Sequence, residues 1–281
     1  PMSSSPRRPA SSARTTRRKT FRQRHAAAGW RPEHLETRDM MTAGPGGVGM
    51  TDGSSELQVW LKPEVISQAN GSGVPLWADS SGWKHNATVS GGTPTFNTAG
   101  INGLGAVNFN GGQSYALPSA SALEIQNSDY ELYIVARSSN GGIQFLTAGA
   151  GENYEIHLNG ASGARYIPRT IFNDSGYSDN GVNRDFTNGA PQIFSARVDP
   201  ALGLEGVMRV NGLDALDVTT SGGLSGDNSN LVLGRRGDGS FAFVGDMAEV
   251  IVFGAALNSA QRVMVENYLS AKYNTVLASG D

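Results

Sequence analysis

The chain has 281 residues, of which 37 are glycine and none is cysteine, and its net charge is −3. This composition excludes disulfide bridges and thiolate metal sites, and the absence of a triplet glycine period excludes collagen. The charge is uneven, because residues 1–49 carry a balance of +7 and residues 50–281 a balance of −10. An acidic body repels phosphates, so we predict no nucleic-acid partner except through the basic N-terminal region.

Residues 1–55 are predicted to be a basic disordered tail or targeting segment followed by a Gly-rich linker. Residues 6–24 contain eight basic residues and no acidic one, and so polar a segment cannot offset its ordering entropy by burial. No apolar run approaches the roughly 20 residues that span a bilayer, so no membrane span is predicted. The turn-rich stretch at residues 44–55 predicts the linker, which leaves residues 56–281 as the folded domain.

Short β-prone segments separated by Gly, Asn and Asp begin at residue 57. Alternation of apolar and polar residues is typical of half-buried strands, and Asn-Gly at residues 211–212 favours a tight hairpin. The pattern predicts an all-β, two-sheet antiparallel jelly-roll sandwich. Its strands are expected at residues 57–61, 106–110, 130–136, 142–146, 154–158, 192–198, 206–210, 230–233, 242–244 and 247–253.

One short C-terminal helix is predicted over residues 259–272, because Asn258 can act as its N-cap. Its apolar residues recur at helical spacing, so one face is expected to pack on the sandwich. That face is predicted to comprise Ala260, Met264, Tyr268 and Ala271, with Val265 and Leu269 beside them.

Two stretches resemble the laminin-G-like domains of the concanavalin A-like superfamily, in the type found in exported bacterial proteins. The Asp79-Ser-Ser-Gly run and the later Gly103-Leu-Gly-Ala-Val-Asn-Phe-Asn110-Gly resemble the family's opening motifs, and residues 245–262 resemble its closing motif. The resemblance covers roughly residues 57–275 and implies the same sandwich. The chain departs from the family pattern at two positions. Ala87 stands where the family has Gly. Asn110 stands where the family has Asp, and this second difference removes a carboxylate that could bind a cation. Residues 31–43 resemble an element found near the start of many exported planctomycete-type bacterial proteins, which implies export to the cell surface or beyond.

The resemblance leaves the function open, because this fold hosts lectins, adhesion modules, hydrolases and lyases. The hydrolases of the fold carry "E-x-D-x-x-E" on one strand, and no such spacing occurs here. The acidic pairs Asp246 with Glu249 and Glu152 with Glu155 are three residues apart, so a regular strand would point them to opposite faces. No catalytic residue is therefore predicted. If the protein is a lyase, His157 is the candidate base.

Loops with aromatic and polar side chains are the candidate ligand-binding sites. Trp83, His85 and Asn86 lie in one Gly-Ser-rich turn, although Trp83 alternatively anchors that turn to the rim of the core. Tyr177 and Asp179 lie in the long acidic loop at residues 173–186, and long loops in compact sandwiches are often functional. That loop is alternatively a solvated crossing between strands.

A calcium ion is a candidate cofactor, since hard cations bind carboxylates in irregular loops. The laminin-G-like resemblance places Asp79 near the position of the metal, and Asp174 is a second candidate ligand. Asp side chains also cap turns, which is the alternative explanation for both residues.

The sequence therefore predicts a non-catalytic carbohydrate- or surface-binding or adhesion module of an exported bacterial protein, with a glycan or another cell-surface molecule as its partner. Two alternatives remain open. One is a self-assembling surface or capsid-like subunit with a basic arm, and the other is a polysaccharide hydrolase or lyase. An Arg-Gly-Asp triplet at residues 236–238 matches the tripeptide bound by some adhesion receptors, and a turn between strands also explains it.

Overall fold

The computed structural model describes residues 43–139, 144–149, 154–159, 165–166, 189–199, 205–219 and 226–278. Within these ranges the chain forms two antiparallel sheets and one α-helix, which confirms the predicted all-β sandwich. The first nine strands are β1 (Leu57–Leu61), β2 (Leu76–Trp77), β3 (Ala87–Val89), β4 (Thr95–Ile101), β5 (Leu104–Asn110), β6 (Tyr115–Ser119), β7 (Tyr130–Ser138), β8 (Gln144–Gly149) and β9 (Ile156–Asn159). The others are β10 (Arg165–Tyr166), β11 (Gln192–Asp199), β12 (Glu205–Val210), β13 (Leu213–Thr219), β14 (Asn230–Leu233) and β15 (Val244–Phe253), and the helix is α1 (Ser259–Tyr273). No helix of the described ranges is long and apolar enough to cross a membrane.

The larger sheet has eight strands, in the order β13-β12-β11-β7-β15-β5-β4, and β1 also pairs with β15. The smaller sheet has seven strands, in the order β10-β9-β8-β14-β6-β3-β2. β15 is the central strand of the larger sheet: β7 pairs along one of its edges, while β5 and β1 share the other. The predicted strand at residues 242–244 is wrong, because only Val244 of this segment is extended, and it begins β15.

The main hydrophobic core lies between the two sheets and is rich in aromatic residues. Phe109 contacts Phe243 and Tyr115 edge-on, with ring centroids 5.7 and 6.0 Å apart. The hydroxyl of buried Tyr115 donates to the carbonyl of Val74 at 2.6 Å, so this polar group is satisfied inside the core. The alternation of residues along each strand sends every second side chain into this layer.

Helix α1 covers the outer face of the eight-stranded sheet and makes a third layer. Asn258 caps it as predicted, because its side chain accepts from the amide of Gln261 while the Gln261 side chain accepts from the amide of Asn258. The predicted contact face is correct for Val265, Leu269 and half-buried Tyr268. It is wrong for Ala260, Met264 and Ala271, which are exposed. The residues that pack on the sheet are Val265, Glu266, Leu269 and Tyr273.

One residue of the contact face of α1 is charged. Glu266 lies among the packed residues, and its carboxylate accepts from the guanidinium of Arg209 on β12 at 2.6 Å. The spacing of apolar residues alone cannot identify the contact face of α1, because that face includes Glu266, which is paired with Arg209.

Residues 43–50, which the sequence assigns to the linker, pack on the sandwich. Val48 is buried in the cluster beneath α1, and a short 3₁₀ turn at Pro45–Gly47 precedes it. Gly46 has φ +65°, and a Cβ atom there would lie 2.5 Å from the carbonyl oxygen of Met264. Glycine is therefore required where this segment meets the helix.

Candidate functional site

The loop between β2 and β3, residues 78–86, is organised around the carboxylate of Asp79. Its Oδ1 accepts from the backbone amides of Trp60 at 2.7 Å and Ser81 at 2.9 Å. Its Oδ2 accepts from the Ser81 hydroxyl at 2.5 Å and from the amide of His85 at 3.0 Å. One carboxylate thus ties both ends of the loop to strand β1, and hydrogen bonds to a charged acceptor are the stronger class.

Further contacts hold the same loop against its neighbours. The side-chain oxygen of Asn86 accepts from the amide of Asp79 at 2.8 Å. Gly82 has φ +94°, and a Cβ atom there would lie 2.4 Å from the nitrogen of Gly53. The loop therefore lies directly against residues 51–55, and only glycine permits that approach.

An aromatic pair, exposed Trp83 and half-buried His85, stands on this loop. The rings of Trp83 and His85 are stacked, with centroids 6.0 Å apart and planes 11° from parallel. Trp83 is 39% exposed, and its indole nitrogen donates to the carbonyl of Ser55 at 3.3 Å. The indole is therefore fixed at one edge while a large part of its surface stays open to solvent. We call Trp83 and His85 the aromatic platform.

The hydrogen bond of His85 determines which ring nitrogen can accept. Nδ1 lies 2.9 Å from the carbonyl oxygen of Gln58. A carbonyl oxygen only accepts, so Nδ1 carries the hydrogen, and Nε2 of the neutral ring has a lone pair for an incoming donor. The platform thus combines a broad apolar surface with one polar acceptor.

The structure brings four of the predicted site residues together in this one loop: Asp79, Trp83, His85 and Asn86. Trp83 and His85 present their rings at the surface, whereas Asp79 and Asn86 use their oxygens inside the loop. Tyr177, Asp179 and Asp174 lie outside the described residues.

The surroundings of Asp79 do not fit calcium. Its carboxylate is met by three N–H groups and one O–H group, whereas Ca²⁺ requires about six to eight oxygen ligands. Within the described ranges no three His, Asp or Glu side chains are grouped so that they could hold a metal ion. Calcium at Asp174 stays a prediction.

The expectation that Asp246 and Glu249 point to opposite faces is wrong. A β-bulge between Met247 and Glu249 adds a residue and turns both acids to the outer face of the eight-stranded sheet. Asp246 accepts from Arg137 at 2.5 Å and from Asn108 at 3.0 Å. Each acid is thus held by its own hydrogen-bond donors.

Glu249 is fully buried beneath α1, and sequence reasoning gave it no structural role. Its carboxylate accepts from the indole of Trp60 at 2.6 Å and from the hydroxyls of Tyr268 and Tyr273 at 3.0 and 2.8 Å. The ammonium of Lys272 lies 2.7 Å away. Burial, reinforced by this carboxylate, raises the pKa of both tyrosines well above their ordinary value. A lone acid in an apolar strand run is the sequence feature that could have indicated such a centre.

The other enzymatic candidates remain undecided. Glu155 is buried, and His157 belongs to β9. The side chain of His157 and all of Glu152 lie outside the described residues.

The Arg-Gly-Asp triplet lies in the loop between β14 and β15, residues 234–243. A guanidinium nitrogen of Arg236 is 3.7 Å from a carboxylate oxygen of Asp238. Asp238 also accepts from the amide and hydroxyl of Ser240 at 2.8 and 2.6 Å, and the hydrogen bonds from Ser240 lower its pKa. The two charged side chains face each other within a turn, which fits the structural explanation of the triplet.

No protein-family model and no curated protein matches the chain, whereas solved structures do. Domain 4 of AbnA, a GH43 extracellular arabinanase from Geobacillus stearothermophilus, superposes with a TM-score of 0.56 at 17% identity, covering 75% of this chain and 97% of that domain. A Trypanosoma rangeli sialidase gives a TM-score of 0.54 at 16% identity, covering 82% of this chain but 35% of the sialidase. A GH54 α-L-arabinofuranosidase gives 0.51 at 14% identity, covering 72% of this chain and 51% of that enzyme. At these identities the likeness shows a shared β-sandwich fold.

Proposed function

We propose that residues 56–281 are a non-catalytic carbohydrate-binding module of the concanavalin A-like, laminin-G-like type, belonging to an exported bacterial protein. The observation that carries the proposal is the aromatic platform, in which Trp83 stacks on His85 and remains 39% exposed. Exposed aromatic rings of this kind bind the apolar C–H faces of sugars, whereas an indole needed for the core would be buried.

The two residues of the platform have different roles in sugar recognition. The Trp83 indole stacks on a sugar ring, and Nε2 of His85 accepts a hydrogen bond from a hydroxyl of the same or the next sugar. Asp79 and Gln58 already hold His85 in place, and the carbonyl of Ser55 holds the indole of Trp83. Little conformational entropy is therefore lost when the ligand binds.

The structural relatives support a glycan as the ligand. Domain 4 of the arabinanase AbnA was solved in complex with arabinotriose, and this chain spans 97% of that domain. A sialidase of the same likeness was solved with sialic acid. Arabinotriose and arabinan are therefore the first ligands to test. The arabinanase is extracellular, which supports the proposal that this protein is exported.

The acids of the described residues support a binding role over catalysis. Asp246 and Glu249 are each held by several donors within the protein, and an acid needed for general acid–base chemistry must reach the substrate.

The test is titration calorimetry against arabinotriose, arabinan and a panel of other neutral glycans. We expect Trp83→Ala to weaken binding at least about tenfold, which corresponds to about 1.4 kcal/mol, and to change the free energy of unfolding by less than about 1 kcal/mol. Val263→Ala on the exposed side of α1 is the matched control, since Val263 is 52% exposed and distant in sequence from the platform. Binding by Trp83→Ala at wild-type affinity would refute the platform. Release of new reducing ends from any bound glycan would refute the non-catalytic role.

A further inference from the structure

Gln58 joins the aromatic platform to a second loop on the same rim of the sandwich. Its backbone carbonyl accepts from Nδ1 of His85 at 2.9 Å, and its side-chain nitrogen Nε2 donates to Oε2 of Glu124 at 2.7 Å. Glu124 belongs to the loop between β6 and β7. Strands β3 and β6 are antiparallel neighbours, so the loop before β3 and the loop after β6 lie at the same end of the sheet.

Glu124 lies close to the platform, across the chain that leads into β1. The carbonyl of Ser55 accepts from the Trp83 indole at 3.3 Å, and the next carbonyl, that of Glu56, accepts from the amide of Gly254 at 2.8 Å. A Cβ atom added to Gly254 would lie 3.1 Å from the Cβ atom of Glu124. This short stretch of chain therefore lies between Glu124 and the platform.

Within the described part of the chain, the side-chain oxygen of Gln58 has no hydrogen-bond donor, although Gln58 is only 1% exposed. A rotated amide would not remove this deficit, because Nε2 must face the carboxylate of Glu124. Oε1 is bonded to the same carbon as Nε2, so it lies within about 5 Å of Oε2 of Glu124. A buried acceptor without a donor destabilises the fold, and such atoms in a native structure require a functional explanation.

The carboxylate of Glu124 has an unused oxygen as well. Glu124 is exposed, and among the described residues Gln58 alone donates to it, through Oε2. Its backbone has φ +57°, a left-handed conformation that glycine or asparagine adopts at lower cost. Conflicts of this kind are concentrated at functional sites. Because a charge-assisted hydrogen bond holds Oε2, the carboxylate presents its second oxygen from a fixed position.

An ammonium group matches this arrangement better than a metal ion does. Oε1 of Gln58 and Oε1 of Glu124 are two acceptors without donors, and an ammonium group supplies three donors. Calcium requires about six to eight oxygen ligands, and no three acidic or histidine side chains are grouped around a common point in the described ranges. The single charge of the carboxylate also balances that of one ammonium group.

We propose that Glu124 and Gln58 form an ammonium-binding subsite beside the aromatic platform, so that the module selects glycans whose amino sugars have free amines, such as glucosamine oligomers. The subsite rests on the glycan-binding function proposed above. Trp83 stacks on one sugar ring, while Glu124 accepts from the ammonium group of a neighbouring sugar. The buried oxygen of Gln58 accepts from the same ammonium group after a small shift of the exposed Glu124 side chain.

The experiment compares the affinities of a glucosamine hexamer and an N-acetylglucosamine hexamer by titration calorimetry, at about pH 5.5, where free amines are protonated. The two ligands have the same sugar backbone, and N-acetylation removes the charge. We expect the charged hexamer to bind at least about tenfold more tightly. Equal affinities would overturn the subsite, as would failure to bind the charged hexamer by a protein that binds arabinan.

Glu124→Gln tests the subsite directly. The new amide retains an acceptor for Nε2 of Gln58, so we expect an unchanged melting temperature. The charged hexamer should bind about tenfold more weakly, at the affinity of the neutral hexamer. Glu64→Gln is the matched control for net charge, because Glu64 is 52% exposed and pairs with Lys272 in the last turn of α1. An equal loss of affinity in both variants, or no loss in Glu124→Gln, would overturn the subsite.

Trp83→Ala separates the subsite from the platform. It should weaken both hexamers by the same factor, because the indole stacks on either backbone. Equal binding of the two hexamers that is lost in Trp83→Ala would retain the platform and overturn the subsite. Wild-type affinity of Trp83→Ala for both hexamers would refute the platform, whereas the effect of Glu124→Gln would still test the subsite.

Two other cations are tested in separate arms. Binding of calcium alone that is lost in Glu124→Gln would overturn the assignment to an ammonium group. Oligolysine carries the same ammonium group on a peptide. Binding of oligolysine more tightly than the glucosamine hexamer, with no effect of Trp83→Ala, would overturn the assignment to amino sugars.

Discussion

Two carboxylates in this protein each accept four hydrogen bonds, and both bind Trp60. Asp79 accepts from the backbone amide of Trp60 and from other donors of the β2–β3 region, whereas Glu249 accepts from the Trp60 indole and from three side chains of α1. The difference lies in the donors. Three of the four donors to Asp79 are backbone amides, which leaves the rings of Trp83 and His85 available at the surface.

All four donors to Glu249 are side chains. Its aromatic neighbours Trp60, Tyr268 and Tyr273 therefore hydrogen-bond to this acid inside the protein. Tyr273 is fully buried and Tyr268 half-buried beneath the helix. The two acids therefore differ in whether neighbouring aromatic rings stay at the surface. The comparison predicts that Glu249 determines stability alone, whereas Asp79 determines both stability and ligand affinity.

The largest expected effect is that of Glu249→Ala. Removing this acid leaves the ammonium of Lys272, which is 15% exposed, without its buried partner, and breaking a buried ion pair costs about 4 kcal/mol of unfolding free energy. Urea denaturation measures the loss. Glu64→Ala is the control, because Glu64 pairs with the same Lys272 at 2.9 Å but is 52% exposed and should cost less than about 1 kcal/mol. Equal losses of unfolding free energy in Glu249→Ala and Glu64→Ala would contradict the predicted role of Glu249 in stability.

Asp79→Ala should have the next largest effect, a loss of about 2–3 kcal/mol, because it leaves several loop donors unpaired. Unlike Glu249→Ala, it should also weaken glycan binding about tenfold, since the platform is no longer held in place. Calorimetry at a temperature where the variant is folded measures the affinity. Asp52→Ala is a control of the same type, because among the residues that the structure describes Asp52 accepts from Ser54 alone, in an exposed turn. Wild-type affinity in folded Asp79→Ala would show that the loop orders itself without the carboxylate.

The smallest predicted effect is a pH dependence of the unfolding free energy. It arises from Glu131, a buried acid close to α1 in addition to Glu249 and Glu266. Burial raises the pKa of Glu131 to about 6, above its ordinary value of 4.5, although hydrogen bonding by Tyr133 and the charge of Arg262 oppose the shift. A raised pKa means that the folded state binds the proton more tightly. The resulting stability is fully present below pH 4.5 and is lost as the pH rises through about 6, by about 2 kcal/mol.

Comparison of the wild type with Glu131→Gln isolates this contribution. The difference in unfolding free energy between the two proteins should change between pH 4.5 and 6 and then stay constant. Glu266, whose pKa is also raised mainly by burial, contributes in the same direction in both proteins. A pH-independent difference would show that folding does not raise the pKa of Glu131.

The strands that alternate most regularly could be predicted from the sequence. Residues 57–61 and 230–233 form β1 and β14 as expected, and the α1 cap at Asn258 was also correct. Other strands were missed. β2 has two residues, and two residues contain no periodicity, but the longer strands β4, β6 and β13 were missed as well. The direction of Glu249 could not be predicted either, since a bulge reverses the alternation and leaves no mark in the residue pattern.

The candidate site was predictable in part for a similar reason. Trp83 and His85 stand out by residue type in a polar turn, so they could be selected as candidate residues from the sequence. The role of Asp79 could not, because its partners include an amide of Trp60, 19 residues away in sequence.

The position of β15 has a consequence for how the protein is made. Val59 near the start of the sandwich pairs with Val252 near its end, and β15 also separates β5 from β7. A ribosome-bound chain that has not yet released this strand therefore has three neighbouring strands with open edges, which favours aggregation. We expect the sandwich to form only after β15 emerges, slowly because its contacts are so distant in sequence.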